Sequence, residues 1–441
     1  MREQFDIETP RFDPASGKAE FGYRLGDLHF VETLDLPTTP IPADRQDAFT
    51  RLLGLTALVL GVSYFKLRAP FHIAAPTLAL SADERAFVID VYENGLGEFY
   101  ARNQLERFGR LTLDIPTTNA VIAPVPLPAR ALLPIGGGKD SLVSVQLLEA
   151  ASLDYTPFAV NPKGPILGSV EAIGRSPVYV RRTLDPEMIR LSKKPGYYNG
   201  HVPSTAINSM IGALCAMIGG FDTIILSNER SASEGNVQFD GREANHQYSK
   251  SLDFEGRIAG VLAAATGGSL SYFSLLRPYS EARIAKIFAR ETRFDTVFSS
   301  CNRNFRLSGH DGPLWCGECP KCHFVYLIFA PVMPKDRLVR IFGRDLLDDP
   351  AHEASFRELT GLAGQKPWEC VGEILEAAAC LHALTVRREW RETAIVRALA
   401  GDLLKQYGAV ALHEALRALG TDSNEHLIPP ALHDRIALHA D

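Results

Sequence analysis

The run Leu132-Leu133-Pro134-Ile135-Gly136-Gly137-Gly138-Lys139-Asp140-Ser141 constrains this chain more than any other stretch. An apolar, strand-like segment leads directly into three glycines. The residues that follow, Leu142-Val143-Ser144-Val145-Gln146-Leu147-Leu148-Glu149-Ala150, have helical periodicity. A strand, a glycine turn and a helix start therefore come in immediate succession. Glycine permits φ > 0 and close approach of the backbone to a ligand, so successive N–H groups can point into one concavity, and the helix N-terminus adds positive potential. Such a turn suits a phosphate chain; the alternative is a βα turn of a doubly wound sheet that binds nothing.

The turn is not a Walker loop, because Asp140 stands between Lys139 and Ser141 where that motif has Lys directly before Ser or Thr. Its spacing resembles the S-G-G-x-D-S turn of the ATP pyrophosphatase (PP-loop) family, with Gly136 where that family usually has Ser. The resemblance implies that Gly136, Gly137, Gly138, Lys139, Asp140 and Ser141 hold ATP. It also implies cleavage between the α and β phosphates, with an adenylated intermediate and release of pyrophosphate.

At 441 residues the chain exceeds a usual single core, which predicts two or three domains. The net charge of −6, without a long Lys/Arg run, does not indicate general electrostatic capture of nucleic acid, so no nucleic-acid partner is expected. The most apolar window, Leu52 to Phe65, contains Gly54, Thr56, Gly61 and Ser63 and is short for a bilayer span, so it reads as a buried helix and no membrane partner is expected. Met1-Arg2-Glu3-Gln4-Phe5-Asp6 has no apolar signal segment, which predicts a cytoplasmic location.

Residues 1–120 read as an α+β unit. Short strands at Phe5–Glu8, Glu20–Leu25 and Leu28–Leu34 precede a helix capped by Asp44 and another, from the capping-box spacing of Ser81 and Glu84, ending near Gln104. Pro116, Pro124, Pro126 and Pro128 mark the segment from Asp114 to Arg130 as a linker. Over residues 121–345 strand-like and helix-like segments alternate, predicting an α/β fold with a doubly wound, mostly parallel sheet whose ligands bind at the strand C-termini. Residues 346–441 read as helices without chemistry of their own.

Two strand-end loops are rich in polar groups: Asn228-Glu229-Arg230-Ser231-Ala232-Ser233-Glu234-Gly235-Asn236 and Asn245-His246-Gln247-Tyr248-Ser249-Lys250-Ser251. Beside a triphosphate, carboxylates there can hold Mg²⁺, and Arg230 or Lys250 can neutralise developing pyrophosphate charge. Plain solvation of a surface loop is the other reading. Ser280 is placed to cap the helix that follows Arg277, and the PP-loop resemblance adds Arg277 and Lys286 as phosphate contacts. Cys316-Gly317-Glu318-Cys319-Pro320-Lys321-Cys322, with Cys301 after the strand-like Thr296–Ser300, has the spacing of a four-thiolate metal site. Structural Zn²⁺, an iron–sulfur cluster and unliganded thiols all remain open on spacing alone. Cys215, Cys370 and Cys380 read as core residues.

Together, Leu133–Ser141, Ser227–Ala232, His246–Ser251 and Cys316–Cys322 resemble the UDP-N-acetylmuramoyl-L-alanyl-L-glutamate epimerase family of peptidoglycan synthesis. The resemblance implies a PP-loop fold with a four-cysteine zinc knuckle, a feature similar to that of the cyano-deazaguanine synthases. It further implies ATP- and Mg²⁺-dependent inversion of the terminal L-Glu of UDP-MurNAc-L-Ala-L-Glu through a carboxyl-adenylate, with AMP and diphosphate released. Candidates for the catalytic set are His246, Lys250, Glu229 and Asp140, with Glu234 as a further titrating group. The alternative is an amide or nitrile synthase of the cyano-deazaguanine type acting on another adenylated carboxylate. The sequence carries no signal for oligomeric state.

Overall fold

The structure, a computed structural model, describes residues 4–305 and 312–440; the first residues of the N-terminal segment, Met1–Glu3, lie outside the described residues. Among the described residues, eleven strands form one sheet and two more form a separate hairpin. The strands are β1 Gln4–Ile7, β2 Arg11–Asp13, β3 Lys18–Leu25, β4 Leu28–Asp35, β5 His72–Ala74, β6 Thr112–Asp114, β7 Ala131–Pro134, β8 Tyr155–Val160, β9 Val178–Thr183, β10 Thr223–Leu226, β11 Val237–Phe239, β12 Arg242–Ala244 and β13 Ser271–Ser274. The large sheet runs β13-β10-β7-β8-β9-β4-β3-β1-β5-β6, with β2 on β3, while β11 and β12 form the hairpin.

From β13 through β9 every pairing is parallel. The central strands β7 and β10 are covered on both faces, which is why they are short and mostly apolar, whereas β9 carries Arg181 and Arg182. Side chains alternate between two cores. Leu132, Ile224 and Tyr272 enter one and Leu133, Ile225 and Phe273 the other. Helices Gln46–Leu60, Ser204–Gly219 and Leu252–Ala265 cover the first face, and Lys139–Ala150, Glu281–Phe288 and Pro320–Phe329 the second. Truncating fully buried Leu132 or Leu133 to Ala costs about 2–5 kcal/mol in such an environment.

The N-terminal meander joins this sheet, since β4 pairs antiparallel with β9. Across that junction Arg182 Nε donates to fully buried Glu32 Oε1 at 2.6 Å, and burial still holds the Glu32 carboxyl above the usual carboxylate range. The sheet is thus continuous across residue 120, where the sequence reading divides the chain.

Local signals at two helix starts have the expected geometry, the Ser81/Glu84 capping box and Ser280 accepting from Arg283 N–H, and Asp185 caps a third helix that begins with Pro186. Others differ. Asp44 lies inside a 3₁₀ turn, Ala43–Arg45, and caps nothing by its side chain. The helical run Ala43–Phe65 is long and apolar enough to cross a membrane, and 83% of its most apolar window is buried inside the protein. The expected helix to Gln104 breaks into Ala82–Glu93 and Gly97–Asn103, and the second piece carries Glu98. The strand-like Thr296–Ser300 forms turns and coil instead of a strand. Its Ser299 N–H donates to Gly137 O at 2.8 Å, and Phe298 is inserted among Phe288, Trp315 and Phe329, which fixes the segment on the glycine turn.

Candidate active site

Strand order reverses between β7 and β10, and in open parallel sheets that is where a crevice opens at the strand C-termini. A cavity of about 280 Å³ lies there, lined by Gly136, Gly138 and Asp140 after β7 and by Ser227, Asn228 and Glu229 after β10. Gly137 has φ +75°, and a Cβ on it would stand 2.8 Å from Ile166 N and from Pro165 C. A Cβ on Gly138 would meet Ser300 Oγ at 2.7 Å, whereas one on Gly136 would meet nothing within 4 Å. The turn is therefore closed behind and open in front, where helix Lys139–Ala150 presents its N-terminus. That arrangement suits an anion.

Lys139 is fully buried and paired with both Asp140 and Glu281. Burial disfavours its ammonium, but the Asp140, Glu281 and Glu229 carboxylates outweigh burial and hold its pKa above the ordinary lysine value. Burial likewise works against charge on Asp140, and Lys139 and Lys321 overcome it, keeping the carboxyl below its usual range. Glu281 is pushed up to about 7 by burial, against the pull of Lys139 and with the help of Asp140 and Glu229.

The two polar loops converge here because of Arg277, which is only 2% exposed. It donates to Glu229 O at 2.7 Å, to Lys250 O at 2.6 Å and to Glu255 Oε2 at 2.6 Å. Arg277 thus braces the loops from behind and does not line the cavity, whereas Glu229 and Lys250 do line it. Arg230 faces Glu373 at 3.8 Å, Glu234 pairs with Lys366, and Lys286 is exposed; none of the three lines the cavity.

His246 stands behind the cavity wall. Its Nδ1 pairs with buried Glu98, whose carboxylate is 3.7 Å from His201 Nδ1. Burial works against an imidazolium, but hydrogen bonds to Cys370 and Glu98 hold His246 up to about 9; burial and the His246 charge push His201 down to about 3. Cys370, read from the sequence as core, is half-buried and lines the cavity, with Lys250 Nζ 3.6 Å from its sulfur. Although residues 346–441 read as helices, the helix here begins at Ile374, leaving 366–372 as a loop. Lys366 pairs with Glu234 and Asn236 Nδ2 donates to Pro367 O at 3.0 Å, drawing this loop onto the site. Pro367 and Gly372 flanking Trp368-Glu369-Cys370 are the loop signal that identifies it.

Cys301, Cys316, Cys319 and Cys322 bring their sulfurs within 4.8 Å of one another, a donor set able to hold a metal ion. Gly317, at φ +68°, and the Cys319 start of helix Pro320–Phe329 make the turn that aims them. Lys321, between two of these cysteines, lines the cavity and donates to Cys370 O. Cys215 and Cys380 are buried in the core as expected.

Two family models match the chain: one described as the MurL N-terminal domain over residues 1–275 and one as the MurL C-terminal domain over residues 297–413. Three curated relatives bear the name UDP-N-acetyl-alpha-D-muramoyl-L-alanyl-L-glutamate epimerase. The protein from Micromonospora sp. is 41% identical over 97% of this chain and 96% of its own length. That from Xanthomonas oryzae pv. oryzae is 40% identical over 98% of each. The Salinispora tropica protein is 41% identical over 90% of this chain and 88% of its own.

Proposed function

Since the chain belongs to the UDP-N-acetyl-alpha-D-muramoyl-L-alanyl-L-glutamate epimerase family, we propose that it inverts the terminal L-Glu of UDP-MurNAc-L-Ala-L-Glu to D-Glu in peptidoglycan biosynthesis, after adenylating that residue with ATP. The observation that carries the ATP part is the glycine turn, open only toward a cavity walled by Asp140, Glu229, Lys250 and Lys321. A carboxylate resists loss of its α-proton, because the carbanion would place a second negative charge beside the first. An acyl-adenylate is neutral at the reacting carbonyl and accepts that charge as an enolate.

In this reading the Gly136–Gly138 N–H groups and the helix N-terminus receive the phosphates. The glutamate carboxylate attacks the α-phosphorus, pyrophosphate departs toward Lys250 and Lys321, and the α-proton is exchanged at the activated carbon. Water then hydrolyses the mixed anhydride, releasing AMP. Asp140 and Glu229 are the carboxylates that would hold Mg²⁺, which supplies charge neutralisation on the phosphates. Four sulfurs with no open corner suit structural Zn²⁺, held by Cys301, Cys316, Cys319 and Cys322. Of the other catalytic candidates, His246 acts through its neighbours, because it does not line the cavity.

Incubation with ATP, Mg²⁺ and UDP-MurNAc-L-Ala-L-Glu, followed by chiral analysis of the glutamate and assay of AMP and pyrophosphate, tests both parts. D-Glu formed in step with AMP and pyrophosphate is the expected result. D-Glu formed without ATP would remove the adenylation step, and no D-Glu under any condition would remove the activity.

A further inference from the structure

We propose that the Cys370 thiolate is the base that takes the α-proton of the activated glutamyl residue, with Lys250 as the positioning residue that keeps the sulfur ionised. This rests on the adenylation reading above and deepens it by naming the group that accepts the proton.

Among the groups at the cavity, Lys139 is enclosed by Asp140 and Glu281, and Lys321 is engaged with the Cys370 carbonyl oxygen. His246 is withdrawn behind the wall with Glu98. Cys370 combines a cavity-facing position with cations on several sides: Lys250 Nζ at 3.6 Å, the hydrogen-bonded His246, and Lys321 on its own carbonyl. These come from two separate parts of the chain, the 245–251 loop and the start of helix Pro320–Phe329, with Glu369 the carboxylate beside Cys370 in sequence. Burial alone would raise this thiol, but Lys250, then His246 and Lys321, outweigh burial and bring it down to about 6. Thiolates surrounded by cations in this way are the reactive form of cysteine.

The step balances as follows. The sulfur lone pair takes the proton, the Cα–H bond breaks, and its electrons form the enolate of the acyl-adenylate. Water on the opposite face donates a proton to Cα as the carbonyl re-forms, and the resulting hydroxide takes the proton from the Cys370 thiol. Thiolate and water are regenerated, and the configuration at Cα is inverted.

The test compares wild type, Cys370→Ser and Cys370→Ala with ATP, Mg²⁺ and UDP-MurNAc-L-Ala-L-Glu in D₂O, following pyrophosphate release and Cα deuterium together. Both variants are expected to keep pyrophosphate release within about tenfold and to lose deuterium incorporation by about 10²–10⁴-fold, the usual worth of a general base. Undiminished exchange in either variant overturns the proposal. Parallel loss of both readouts, with wild-type circular dichroism and melting, also overturns it by assigning Cys370 to substrate or nucleotide binding. A wild type that releases no substrate-dependent pyrophosphate refutes the adenylation reading instead. Independently of turnover, iodoacetamide labelling with peptide mapping should modify wild-type Cys370 with a midpoint near pH 6 that Lys250→Met moves upward. A midpoint at the ordinary thiol value of about 8.5 would defeat the proposal.

Discussion

Replacing Gly137 by Ala tests how far the proposed phosphate role of the glycine turn depends on backbone shape. At φ +75° an L-residue is strained, by about 1–2 kcal/mol. The added methyl would also stand 2.8 Å from Ile166 N and Pro165 C, backbone atoms that cannot rotate away, which adds about 1–3 kcal/mol of overpacking. Together this is about 2–5 kcal/mol against a domain stability of about 5–15 kcal/mol. The Gly137 carbonyl also accepts from Ser299 N–H at 2.8 Å, so relief of the clash displaces the Ser299–Ser300 wall of the cavity. Misplacement of about 1 Å costs on the order of 10²-fold in rate. Gly137→Ala is thus expected to melt several degrees lower and to lose about 10²-fold or more in kcat/KM for ATP, measured by pyrophosphate release. Gly136→Ala is the control: its methyl meets nothing within 4 Å, so stability should hold while KM for ATP rises. Wild-type melting and turnover in Gly137→Ala would refute the assignment of the turn.

Arg182→Met should destabilise the protein by about 3–5 kcal/mol in urea unfolding, because it leaves fully buried Glu32 without its partner; Glu32→Gln in the same chain should recover much of the loss. Removing metal with a strong chelator should release roughly one zinc per chain, lower the melting temperature and depress AMP formation, as Lys321 lies between two of the cysteines; metal analysis and calorimetry check this. In pH–rate profiles of α-proton exchange, a base must be ionised to act, so the rate should rise through about pH 6 as Cys370 loses its proton. Above that value it should stay level, because Lys250 still faces the sulfur; a flat profile across about pH 5–7 would contradict this assignment. Arg277→Ala should lower stability and turnover together, because it releases the loops carrying Glu229 and Lys250, and guanidinium added in solution should restore part of the turnover.

What was legible in the sequence is what neighbouring residues determine. Gly136–Gly138 between an apolar strand and a periodic helix can only be a tight turn, and Ser81, Asp185 and Ser280 carry their caps beside them. The spacing of Cys316, Cys319 and Cys322 likewise brings three sulfurs together through one local turn. Tertiary structure alone decided the rest. Glu32 and Arg182 meet from 150 positions apart, which joins the N-terminal strands to the parallel sheet. Lys250 reaches Cys370 across 120 positions, and Arg277 is turned away from the cavity by Glu255 and two loop carbonyls. Turns and caps follow from steric rules within a few residues. The partner of a buried charge follows from which distant segments the sheet order sets side by side, and no local spacing records it.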